Sequence, residues 1–291
     1  MFISKLQNIW YVFLIFLSLT LAQSEAYENP ETVEIVHLVK QATRYIEKKG
    51  EIAFNDFRKS NSKWNHGDTY IFVLDLNGKM VVHPDTSLVG KNQLSLTDIN
   101  NKPFIKWFIY LATNSKGYGW SHYLWVKPGQ VFPSWKSTYV KLVTSPMGNK
   151  YIVCCGKYNL PIEKQFIVET IDFAAEMIQR KGKKAFELFR NKNSEFIYMN
   201  TYIFVLDMKG KLLVHPAFPR LENSNLKKLT DFNGKVVADE IFKILKKQDS
   251  GWIEYLWPKP GSSEPSIKHT YIRKVSCWEG DFIIGDGFYE Q

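Results

Sequence analysis

At 291 residues the chain is long enough for two ordinary domains, and a content of 45% hydrophobic and 15% aromatic residues excludes an intrinsically disordered polymer. The formal net charge of +9 comes from 38 Lys and Arg against 29 Asp and Glu, spread without a long basic block. That pattern points away from nucleic acid and toward anionic ligands or a membrane surface.

Lys5 precedes an apolar run at residues 9–21, and small residues follow at Ala22, Ser24 and Ala26. This reads as a secretory signal peptide over residues 1–26, cut after Ala26 or alternatively after Ala22. The run is shorter than the ~20 residues of a spanning helix, so an uncleaved anchor is the weaker alternative. Processing places the protein in the periplasm or outside the cell, with no stable membrane span once the leader is gone. Cys154, Cys155 and Cys277 are an odd set with two neighbours adjacent, so no disulfide framework is expected even there.

Residues 27–159 then run helix, hairpin, helix and three strands. Asn29 is placed to cap and Pro30 to open a helix whose apolar stripe is Ile35, Leu38, Val39, Ala42 and Tyr45. A strand from Tyr70, the turn Asp75-Leu76-Asn77-Gly78 and a strand ending at His83 make a hairpin. Phe104, Ile105, Phe108 and Leu111 mark a short helix after Pro103. An aromatic strand covers Trp120 to Trp125, another starts near Thr138, and the last ends at Tyr158.

Residues 160–291 repeat this order. TYIFVLDLNGKMVVHP at 69–84 returns as TYIFVLDMKGKLLVHP at 201–216, and GWSHYLWVKPG at 119–129 as GWIEYLWPKPG at 251–261. LTDINNK at 96–102 returns as LTDFNGK at 229–235, and PSWKSTY at 133–139 as PSIKHTY at 265–271. A period this long implies duplicated domains rather than solenoid units. Strands apolar on both faces need cover on both. The fold class is therefore α+β, each domain a long N-terminal helix packed on a mostly antiparallel sheet.

Little in the chain nominates catalysis. There is no Gly-x-Ser-x-Gly elbow, no Gly-rich phosphate loop, and no ligand spacing for a metal or covalent haem. The Asp-x-Asn-Gly stretches lack the later carboxylate of a calcium loop and read as turns. No catalytic residue, cofactor or metal is assigned, and the protein is not expected to be an enzyme. A binding pocket has better support. Tyr123 and Trp125, and in the second copy Tyr255 and Trp257, share one strand face. Lys136 and Tyr139, with Lys268 and Tyr271, follow on the next strand; His83 and His215 close the hairpins. Aromatic walls with a cationic tip suit a small anion.

The doubled Tyr-Ile-Phe-Val-Leu-Asp-x-x-Gly-Lys, the following His-Pro and the Gly-Trp-x-x-Tyr-Leu-Trp-x-Lys-Pro-Gly strand together resemble the type-2 single Cache domain, a PAS-like family, here in tandem. The resemblance implies an extracytoplasmic sensor for short organic acids such as acetate, propionate, pyruvate or lactate. It departs from the family where the chain stops at Gln291, with no signalling module, so a membrane-bound partner is expected to carry the output. His122 against Glu254, and Val126 against Pro258, imply that the copies need not share one ligand. The competing reading is a structural or interaction module that presents its surface to a membrane receptor or host factor.

Overall fold

The computed structural model describes residues 27–127 and 129–290; the leader read at residues 1–26 lies outside the described residues. Helix α1 (Pro30–Lys49) starts where the Asn29 side chain accepts the N–H groups of Glu31 and Thr32, and it ends at Gly50, whose φ of 63° a side chain would disfavour. Glu31 in its first turn and Lys48 and Lys49 in its last complement the helix dipole. Its Ile35, Val39, Ala42 and Ile46 are almost completely buried, and each of the three branched side chains contributes roughly 1.5–3 kcal/mol. Short helix α2 (Ala53–Phe57) follows.

Strands β1 (Asn65–His66) and β2 (Thr69–Tyr70) form a small ribbon. Strands β3 (Phe72–Asp75) and β4 (Met80–Val82) form the expected hairpin. Asp75 Oδ1 accepts the N–H groups of Asn77 (2.9 Å) and Lys79 (2.8 Å). The carboxylate that hinted at a calcium loop is therefore spent on the turn. Helix α3 (Phe104–Ala112) leads to β5 (Tyr118–Val126), β6 (Pro133–Thr144) and β7 (Lys150–Tyr158). All pairings are antiparallel, in the order β4-β3-β7-β6-β5.

The second half contains α4 (Lys164–Lys181), α5 (Ala185–Arg190), the ribbon β8 (Ile197–Tyr198) and β9 (Thr201–Tyr202), β10 (Phe204–Asp207), β11 (Leu212–Val214), α6 (Val237–Leu245), β12 (Ser250–Pro258), β13 (Pro265–Cys277) and β14 (Gly280–Tyr289). Its sheet has the corresponding order, β11-β10-β14-β13-β12. Helix α4 starts three residues after Pro161. Glu163 precedes it without capping it; the carboxylate accepts the N–H groups of Glu28 and Asn29 at the start of α1 instead. The three cysteines are free thiols.

Each sheet is covered on both faces, by α1 and α3 in the first half and by α4 and α6 in the second. The α3 face of the first sheet and the α4 face of the second belong to one continuous apolar core. Trp107 and Tyr110 of α3 meet Phe173 of α4, with ring centroids 6.0 and 5.2 Å apart. The repeated LTD motif braces the outer strand of each sheet. Asp98 Oδ2 accepts Leu124 N (3.0 Å) while Lys102 Nζ donates to His122 O (2.6 Å); Asp231 takes Leu256 N (3.1 Å) and Lys235 Nζ donates to Glu254 O (2.8 Å). Among the described residues no helix is long and apolar enough to cross a membrane.

Candidate functional site

Each lysine sits on the strand next to the edge strand of its five-stranded sheet. Lys136 on β6 pairs across to Tyr123 on β5 and Tyr158 on β7. Lys268 on β13 pairs to Tyr255 on β12 and Tyr289 on β14. Directly paired residues share a sheet face, so each lysine lies in a Tyr-Lys-Tyr row across three strands. Neither ammonium reaches bulk water: Lys136 is 2% exposed and Lys268 1%. Gly156 beside Lys136 leaves room for the stem, since a Cβ there would lie 2.9 Å from Lys136 Cε and 2.4 Å from Thr138 Oγ1.

Around Lys136, Nζ donates to Tyr70 Oη at 2.8 Å and lies 4.6 Å from the Tyr70 ring centroid and 5.0 Å from that of Tyr158. Lys268 Nζ lies 3.9 Å over Tyr202 and 5.1 Å from Tyr289. Burial holds both amines below the usual lysine range; the aromatic faces give back part of the lost solvation. In the second half a carboxylate also acts. Asp286 is fully buried; its Oδ1 accepts Tyr202 N at 2.9 Å and its Oδ2 has no hydrogen-bond partner. Burial pushes the Asp286 carboxyl up, and the Lys268 charge pulls it partly back.

His83 and His215 close the two hairpins as expected. Asp85 N donates to His83 Nδ1 at 3.0 Å and Phe218 N to His215 Nδ1 at 3.1 Å, so each neutral ring carries its proton on Nε2. Burial first, and then the neighbouring lysine, lowers His83 to about 4 and His215 to about 3.

The halves differ in what lies under the covering helix. In the second, a hollow of about 20 Å³ is lined by His215, Leu226, Val237, Tyr255 and Trp257, room for about one water. In the first, Phe104 occupies the α3 position that Val237 holds on α6, and its ring stacks on Tyr123 with centroids 4.1 Å apart. Trp125 packs edge-on against Phe104 at 5.3 Å.

Eight of the ten nominated residues thus gather about the two lysines: His83, Tyr123, Trp125 and Lys136, and His215, Tyr255, Trp257 and Lys268. Tyr139 and Tyr271 do not. Each stands three positions beyond its lysine on the same strand, which in a period of two is the opposite face. Tyr139 packs in the α1 core beside Trp120, and Tyr271 donates to Ser250 Oγ at 2.8 Å. Sequence reasoning passed over Tyr70 and Tyr202, although they open a repeated motif, Tyr158 and Tyr289, although they end matching strands, and Asp286, which stands where the first copy has Cys155.

Glu254, His269 and Glu290 lie close enough to suggest a metal. His269 Nε2 meets Glu290 Oε1 at 2.8 Å while its Nδ1 meets Glu254 Oε2 at 3.5 Å. Each carboxylate thus has its own side of the imidazole, an arrangement that satisfies the histidine without an ion.

A family model described as Cache domain matches residues 47–291. The methyl-accepting chemotaxis protein McpP of Pseudomonas putida is 39% identical over 88 residues, 30% of this chain and 16% of that protein. The sensor histidine kinase MctS of Rhizobium johnstonii is 32% identical over 89 residues, 30% of this chain and 18% of that protein. The chain therefore spans under a fifth of the length of either relative. A solved periplasmic sensor domain of a chemotaxis protein is 26% identical and covers 42% of this chain and 86% of its own, with a TM-score of 0.35.

Proposed function

Because this chain belongs to the Cache domain family, we propose that it is an extracytoplasmic sensor whose second half binds a short monocarboxylate. Acetate, propionate, pyruvate and lactate are the size class. The observation that carries this reading is Lys268: a nearly fully buried ammonium, beside aromatic rings and close to a hollow walled by Tyr255, Trp257 and His215. A carboxylate entering there supplies the charged hydrogen bond that burial denies the amine, and the neutral His215 retains an Nε2 proton to donate. The hollow is small, so the ligand enters with a shift of Trp257 or Leu226. In this reading residues 27–159 and 160–291 are separate units, and the first, filled by Phe104, is a scaffold. Turnover is not part of the role. Relatives named as a chemotaxis protein and a sensor kinase support sensing, with the signal passed to a membrane-bound partner.

A thermal-shift series with these four acids tests the reading, since a ligand that prefers the folded state raises Tm. At least one is expected to raise Tm of the wild type and not of Lys268→Met. If none of the acids acts on the wild type, or if the substitution leaves the shift intact, the reading fails.

A further inference from the structure

We propose that a cavity between the two halves is a second binding site, for a small protonated amine. The cavity measures about 260 Å³, just below the roughly 300–1,000 Å³ usual for small-molecule sites. It lies away from both lysine rows. One wall is helix α4, where Glu169, Asp172 and Glu176 recur at helical spacing on one face. The opposite wall is the end of α3 and the start of β5, with Lys116 and Trp120.

The charge balance favours a cation. Four carboxylates line it, those of the three α4 residues and Glu195; Asp172, Glu176 and Glu195 each have a basic neighbour, which leaves Glu169 as the carboxylate that calls for one. Asp172 engages Lys116 Nζ at 2.5 Å and Arg273 through Nη1. Glu176 accepts Ser115 Oγ at 3.1 Å and pairs with Arg180 at 3.4 Å. Glu195 accepts Ser121 Oγ (2.9 Å) and His122 N (2.7 Å). Glu169 differs. Its Oε1 accepts Tyr27 Oη at 2.5 Å and Gln165 Nε2 at 3.1 Å, but its Oε2 is buried with no hydrogen-bond partner. An unpaired buried carboxylate oxygen is costly, and burial pushes this carboxyl above its usual range; a donor in the cavity reaches that oxygen as the Glu169 carboxylate turns toward the space it lines.

An ammonium group supplies what Glu169 Oε2 lacks: a donor and a positive charge. Trp120 and Phe166, with ring centroids 5.0 Å apart, and Phe173 offer faces to the rest of such a ligand and to its charge. The carboxylate is held ready, because Trp120 Nε1 donates to Tyr27 Oη at 3.0 Å while that hydroxyl donates to Glu169. A divalent metal fits less well. It needs six or more oxygens converging on one point, and the neighbouring carboxylates already hold fixed partners.

Isothermal titration of the purified chain with n-butylamine, 1,4-diaminobutane and the neutral n-butanol tests the proposal. Saturable binding of at least one amine, with none for butanol, is expected, and Glu169→Gln weakens it at least about tenfold, the worth of a charged hydrogen bond. Ser115→Trp, an exposed substitution at the cavity wall, provides a second variant should Glu169→Gln fold poorly, and it blocks the amine by filling the space. The proposal is overturned if neither amine binds saturably, if butanol binds as well as the amines, or if the folded variant binds like the wild type.

Discussion

Phe104 lies flat on Tyr123, their planes 3° from parallel, and this stack closes in the first half the space that stands partly open in the second. The corresponding residue on α6 is Val237, at the wall of the hollow. The difference is about the volume of a phenyl ring against an isopropyl group, set beside otherwise matching Tyr-Lys-Tyr rows.

Exchanging these residues tests whether volume alone separates the two halves. Val237→Phe fills the hollow, so the carboxylate-dependent rise in Tm is expected to disappear while the chain remains folded. Phe104→Ala removes the stack and is expected to cost about 3–5 kcal/mol in urea unfolding, the usual toll of an emptied aromatic site. A carboxylate response surviving Val237→Phe contradicts the assignment of the hollow.

Much of this arrangement was legible in the chain itself. Asn29, Pro30 and the stripe from Ile35 to Ala42 announce α1, and alternation alone placed Tyr255 and Trp257 on one face. Tyr139 and Tyr271 went astray because each was grouped with the lysine of its strand without counting the three-residue step between them, with the strand's start set near Thr138. The strand begins at Pro133, and along it the period of two decides the matter. The contrast between Phe104 and Val237 was also present, but its meaning depends on knowing that both residues face the row of tyrosines. Glu169 and Glu195 gave no signal, because their partners Tyr27 and Ser121 belong to the other half and meet them only once the halves are packed.

Lys268 and Asp286 are expected to be energetically coupled, since each is buried and each is the other's compensating charge. Lys268→Met leaves the Asp286 carboxyl without that compensation and is expected to cost roughly 1–3 kcal/mol at neutral pH. Adding Asp286→Asn returns most of the loss, because two buried apolar or neutral groups need no opposite charge. Denaturant titrations of the two single variants and the double variant form the cycle. Simple additivity contradicts the coupling.

The buried histidines make the fold sensitive to acid. His215 and His122 are lowered to about 3 and His83 to about 4, in each case chiefly by desolvation. Between pH 6.5 and these values the unfolded chain binds the proton and the folded chain does not, so stability falls as pH falls through that window. One histidine contributes at most about 1.4 kcal/mol per pH unit. The buried carboxyls with raised values, Glu169, Glu195 and Asp286, act with the opposite sign over part of the range. The histidine contribution is therefore read as a difference between variants. His215→Gln is expected to show a shallower loss of stability from pH 7 to pH 5 than the wild type; equal slopes contradict the assignment.

Lys102 fixes how the halves meet. Its Nζ donates to His122 O at 2.6 Å within the first half and to Ile197 O at 3.2 Å in the second. Across the same contact the Glu195 carboxylate takes His122 N and Ser121 Oγ, and the His122 ring stacks on Tyr198 with centroids 4.0 Å apart. The matching Lys235 bonds Glu254 O at an exposed position, so only the first lysine has been drawn into an interface. Lys102→Met leaves Glu195 buried without its countercharge, and a loss of about 3–5 kcal/mol is expected, whereas Lys235→Met costs no more than a surface hydrogen bond, about 0.5–1.5 kcal/mol. Because one apolar core runs through both halves, calorimetry of the wild type is expected to show a single transition. Lys102→Met lowers its midpoint more than Lys235→Met does. Two well-separated wild-type transitions, or equal effects of the two substitutions, contradict a locked interface.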